Sequence, residues 1–122
     1  MISGITQQIV DTPDGAAAVV LTPRGELDLS AIASLDAAAR TALTAAPTPP
    51  RLIVDLSEAS VLHPVVLGVL LDARRRCRAG GGQLALIVTA PDIAATLTET
   101  GVESLFEVTS GLPAALQRVS NR

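Results

Sequence analysis

The 122 residues, 48% of them hydrophobic, are enough to bury one core and fit a single domain spanning 1–122. Nine arginines against twelve acidic residues give a net charge of -3 and Phe106 is the one aromatic, so neither phosphate attraction nor base stacking recommends a nucleic-acid partner. One cysteine excludes an internal disulfide, and no apolar run reaches the roughly 18–20 residues that cross a bilayer. The first residues, MISGITQQIVDTPDG, lack the basic start, apolar block and small-residue cleavage site of a secretory signal, so a cytoplasmic chain without membrane insertion is expected.

In chain order, Ile5 to Val10 alternates loosely and Ala17 to Leu21 is an apolar run. Pro13-Asp14-Gly15 between them supplies the residues of a turn, which predicts a hairpin. Thr22 to Ser30 then carries the chain from strand to helix, with Asp28 or Ser30 placed to cap that helix and Ser30 the simpler cap. Ile32, Leu35, Ala39 and Leu43 share one face of it, and Asp36 and Arg40 are spaced as an i,i+4 pair. Pro47-Thr48-Pro49-Pro50 ends the helix and forces an extended connection.

Leu52-Ile53-Val54 reads as a strand buried on both faces and ending at Asp55, followed by a polar loop, Ser57 to Ser60. Val61-Leu62-His63 leads into a long helix opening at Pro64, where a proline gives up an N–H that would have had no intrahelical partner. Val66, Val69 or Leu70, Ala73 and Cys77 give that helix an apolar face, and Gly80-Gly81-Gly82 terminates it. Gln83 to Val88 is a further strand, Pro91 to Gly101 a helix, Val102 to Val108 a loop into a short strand, and Leu112 to Val119 a last helix. The expectation is an α/β fold in which an N-terminal β-hairpin precedes alternating βα units, with helices packed on a mixed, mostly parallel sheet.

Several of these stretches carry a family resemblance: Gly25-Glu26-Leu27-Asp28, Leu52-Ile53-Val54-Asp55-Leu56, Leu67-Gly68-Val69-Leu70, Gly80-Gly81-Gly82 with Leu84 to Val88, and Leu97 through Thr100-Gly101-Val102 to Leu105-Phe106. In this order and spacing the chain resembles the STAS domain, the fold of bacterial anti-sigma factor antagonists, over nearly its whole length. In family members that act as switches, the central helix opens with Asp-Ser-Ser/Thr-Gly-Leu-Gly, and a kinase-type anti-sigma factor phosphorylates the second hydroxyl residue. Here the match breaks: the stretch reads His63-Pro64-Val65-Val66-Leu67-Gly68. Val65 replaces the phosphoacceptor, Pro64 its hydroxyl neighbour and His63 the aspartate, while Gly68 is kept.

The resemblance therefore implies a non-catalytic interaction module that is not phosphorylatable at the usual position. Its partner is expected to be an anti-sigma factor of the serine-kinase type, bound through Asp28, Leu29, Ser30, His63, Pro64, Val65 and Val66. STAS domains also serve as cytoplasmic accessory subunits of membrane transport systems for lipids or anions, the alternative reading. A nucleotide sensor using the helix N-terminus as an anion site is a third, opposed by Pro64, Val65 and Val66.

Other residues carry a functional and a bland reading side by side. His63 is a pH-sensitive group or a structural one; Cys77, at core spacing, is an inert buried thiol rather than a reactive one. Arg74, Arg75, Arg76 and Arg78 form a steering patch or a solvated face that complements the helix C-terminus. Ser57 and Ser60 are displaced acceptors or loop hydroxyls, Asp28 a kinase contact or a local cap, and Asp55 a turn former. No P-loop, Gly-x-Ser-x-Gly or Cys-x-x-Cys is present, and the glycine triplet follows a helix and precedes a strand, the reverse of a dinucleotide fingerprint, so neither catalysis, a metal nor a cofactor is expected.

Overall fold

The structure, a computed structural model, describes residues 2–46 and 49–120; the predicted connection through Pro47 and Thr48 lies partly outside them. Strands β1 (Ile2–Asp11) and β2 (Ala17–Leu27) form the antiparallel hairpin. Its turn is closed by the Thr12 N–H donating to the Ala16 carbonyl at 2.9 Å, with Gly15 at a φ of 85° that a side chain would strain. β2 is six residues longer at its C-terminal end than the Ala17–Leu21 run predicted, and it passes straight through Pro23.

The sheet topology explains why a proline is tolerated there. β3 (Arg51–Asp55) pairs with β2 only from Val19 to Leu21, and β4 (Ala59–Leu62) takes over from Gly25 to Leu27. Pro23 sits at this fork, where no neighbouring strand needs its N–H. β4 itself corrects the expectation of a polar loop at Ser57–Ser60 followed only by a lead-in, Val61-Leu62-His63, to the helix. A four-residue strand whose outer residues are buried and inner two exposed is too short to show a period in sequence.

Between these strands lies α1 (Ile32–Ala45); after β4 come α2 (Leu67–Ala79), β5 (Gln83–Ile87), α3 (Pro91–Glu99), β6 (Glu107–Thr109) and α4 (Leu112–Val119). The sheet order is β1-β2-β3-β5-β6, with β4 beside the far end of β2, and every pairing except β1 with β2 is parallel. Side-chain alternation divides the core in two. Val19, Leu21, Leu52, Val54, Leu84 and Leu86 face α1, α2 and α3, whereas Ala18, Val20, Ile53, Ala85 and Ile87 face α4 alone.

Two local devices fix the frame. The Arg51 guanidinium, buried at the start of β3, donates to Asp14 Oδ1 at 2.8 Å and Thr12 Oγ1 at 3.1 Å, tying the hairpin turn to the central strand. At the end of α2, Gly82 passes so close to Pro50 that an added Cβ would stand 1.6 Å from its carbonyl oxygen.

Candidate partner-binding face

Parallel neighbours β2 and β4 end side by side, with Leu27 in register with Leu62 and the His63 N–H donating to the Leu27 carbonyl at 2.8 Å. Each strand then releases a single 3-10 turn, Leu29–Ala31 from β2 and Pro64–Val66 from β4. The two stretches singled out in the sequence are thus brought together, although 35 positions separate Asp28 from His63 (63 − 28). α1 and α2 proper start one turn later, at Ile32 and Leu67, so Pro64 opens a 3-10 turn and not the α-helix itself.

Both turns are capped by their own side chains. Asp28 Oδ1 accepts from the Ser30 N–H at 3.0 Å and from the Ser30 hydroxyl. Asp28 is therefore the cap and Ser30, predicted as the simpler one, is capped. The Ser30 hydrogen bonds hold the Asp28 carboxyl below its ordinary value of 3.8. His63 has the same role in the second turn, its Nδ1 accepting from the Val65 N–H at 3.2 Å. That bond requires an unprotonated Nδ1 and leaves the ring proton on Nε2.

Around these caps the surface is apolar. Leu29 is 72% exposed, Val61 45% and Val65 40%, beside exposed Ser30, His63 and Pro64 and partly exposed Asp28. Ala31, Leu62 and Val66 point inward and anchor the turns. Val66 is wholly buried, which corrects its place among the expected contact residues: its side chain packs the core beneath the face. Val61, not singled out in the sequence, is exposed on β4 next to the inward Leu62, and its register partner is the exposed Glu26.

This arrangement suits protein contact better than anion capture. The N–H groups of Ser30 and Val65, which an anion would need, are already bonded to Asp28 and His63. Exposed aliphatic side chains on a rigid strand-and-turn base supply apolar area that a partner can cover.

Several of the remaining residues make local contacts. Asp55 Oδ1 accepts from the Ser57 N–H at 3.0 Å, the expected turn bond, and Ser57 and Ser60 are exposed. Cys77 is buried and its thiol is pushed up to about 12 by desolvation, which makes it inert. Arg75 and Arg76 both pair with Asp72, and Arg40 pairs with Asp36 at 2.8 Å as its spacing predicts. Among the described residues no three His, Cys, Asp or Glu converge as metal ligands, and no helix is long and apolar enough to cross a membrane.

The sequence model of the STAS domain family matches residues 7–115. Solved structures share the fold. An anti-sigma factor antagonist from Mycobacterium paratuberculosis superimposes with a TM-score of 0.77 at 23% identity, over 95% of this chain and 94% of that one. The anti-sigma factor antagonist SpoIIAA in its unphosphorylated form gives 0.68 at 22% identity, over 98% and 100%. An anti-sigma-factor antagonist (STAS) domain protein from Planctomyces limnophilus gives 0.69 at 15% identity, over 93% and 97%. A search of curated proteins found no match.

Proposed function

The chain belongs to the STAS domain family, and we propose from that premise that it is a regulatory interaction module whose docking face is the pair of capped turns at Asp28–Ser30 and His63–Val65, with Val61 at its edge. The partner is an anti-sigma factor of the serine-kinase type. What supports this reading is Val65, an exposed, hydroxyl-free side chain at the position that the resemblance matches to the phosphoacceptor of the family's switching members. In those members a phosphate adds close to two negative charges to the docking surface and repels the partner. Valine has no oxygen to accept a phosphoryl group, so the face stays apolar and binding is constitutive.

Affinity capture from a lysate of the source organism, with the wild-type chain and Val65→Glu in parallel, tests the reading. Wild type retains a kinase-like anti-sigma factor, and the variant loses at least about 2 kcal/mol of affinity, roughly thirtyfold, because the glutamate is desolvated without a counter-charge. Its circular dichroism and melting temperature stay close to wild type, since Val65 is exposed. Incubation of the wild type with that kinase and ATP leaves the chain unmodified. Capture indifferent to Val65→Glu removes the face from function, and capture of a membrane transport ATPase in place of the anti-sigma factor replaces the partner class.

A further inference from the structure

β1 and β6 are the outer strands of the sheet, and they differ sharply as edges. β6 has three residues, too few to template an added strand, whereas β1 has ten. Exposed edges are ordinarily protected by charge or proline, and from Ile2 to Val10 this one has neither. Its one irregularity, a register shift between Ile2 and Gly4, leaves the stretch from Ile5 onward regular.

The hairpin geometry says which backbone groups this edge offers. The Thr12 N–H bonds to Ala16, so antiparallel alternation gives Val10, Gln8 and Thr6 to the β2 ladder and turns the N–H and C=O of Ile9, Gln7 and Ile5 outward. Pro23 agrees with this assignment, because its register partner is Ile5, a position that asks nothing of β2. The side chains of Ile5 and Ile9 lie on the sheet face of α1 and α2; Ile5 packs against that core, whereas Ile9 is 59% exposed.

We propose that the β1 edge is a homodimer interface, at which a second copy adds its own β1 antiparallel across a two-fold axis through Gln7 and the sheet runs on from one subunit into the other. Three features choose a second copy as the occupant. Setting Gln7 opposite Gln7 aligns the outward-turned residues of both strands, so Ile5, Gln7 and Ile9 each exchange two backbone bonds with the other copy. The same register sets Ile9 of one copy beside Ile5 of the other at both ends, which covers the exposed isoleucine with an apolar neighbour. The paired stretch is uncharged, so two chains of net charge -3 meet there without opposing like charges, and a charged partner finds nothing to complement. The pairing is isologous and uses up the edge on both copies, so it stops at two.

This inference is independent of the docking face at His63, and the whole chain tests it by sedimentation equilibrium. Wild type forms a dimer, and Gln7→Lys, which sets two ammonium groups opposite each other on the axis, weakens its dissociation constant about fivefold or more. Gln7→Pro removes an outward N–H that the β1–β2 ladder does not use, and it too weakens the dimer, with an unchanged far-ultraviolet spectrum. Gln7→Cys is oxidised to a disulfide-linked dimer, because residues opposite each other in a bonded pair stand about 5.5 Å apart at Cα; buried Cys77 does not compete. A wild-type chain that stays monomeric at about 1 mM, or a dissociation constant unchanged by Gln7→Lys together with no Gln7→Cys cross-linking, overturns the proposal.

Discussion

His63 shows how much one side chain decides at the residue scale. Its Nδ1 accepts the Val65 N–H at the opening of the turn. Removing that acceptor leaves the N–H to water and frees the turn to fray. His63→Ala should cost about 0.5–2 kcal/mol in urea unfolding, and His63→Asn, which keeps an acceptor, should recover most of it. Equal losses for both would mean that the imidazole acts through packing alone.

Asp72 acts at the same scale on α2. Its carboxyl is lowered from 3.8, first by the hydrogen bond from Arg76 and then by the charges of Arg76 and Arg75. A lowered carboxyl contributes stability that is present at neutral pH and lost as pH falls through its folded value. Asp72→Asn should therefore lower stability at neutral pH, by a small amount because these exposed pairs are screened, and converge on wild type as pH falls below about 4, which flattens the profile there.

At the scale of elements, the exit of α2 is the most constrained junction. Gly80, Gly81 and Gly82 end the helix, and Gly82 lies against the Pro50 carbonyl that accepts from Gln83 at 3.1 Å. Only backbone separates β3 and β5 here, and a methyl group cannot enter without parting them. Gly82→Ala should destabilise the fold by at least about 2 kcal/mol. Alanine at Gly15, where space is open but φ is positive, should cost less, through backbone strain alone. A melting-temperature comparison of the two separates steric from conformational cost.

For the whole molecule, the tie between the hairpin turn and the central strand rests on Arg51 and Asp14, whose side chains are 4% and 10% exposed. Asp14→Ala leaves the guanidinium buried with its charge uncompensated and should cost about 3–5 kcal/mol. Replacing both residues together, Asp14→Ala with Arg51→Met, should recover a substantial part, because the pair's own desolvation cost is removed with it. A double variant no more stable than Asp14→Ala would locate the loss in the turn instead. The far face of the sheet depends on α4 alone, through Ala115 and Val119 against Ile53, Ala85 and Ile87, so one short helix decides whether that face is core or surface.

Much of this was written locally in the chain. The hairpin, the buried run at Leu52–Val54, the helices after Ser30, Pro64 and Pro91, and the terminal helix follow from period, turn residues and caps, and the order of βα units fixed the sheet as mostly parallel. The caps at Asp28 and Ser30 and the helix start at His63 and Pro64 carry local side-chain signatures, while their union as one face was implied by the family resemblance. What local signals lacked was pairing. The extension of β2 through Pro23, the strand at Ala59–Leu62, the inward turn of Val66, the contact of Arg51 with Asp14 and the assignment of α4 to its own face depend on neighbours distant in sequence. A four-residue strand or a buried ion pair acquires its energy only when the chain closes around it, and that closure belongs to the tertiary structure alone.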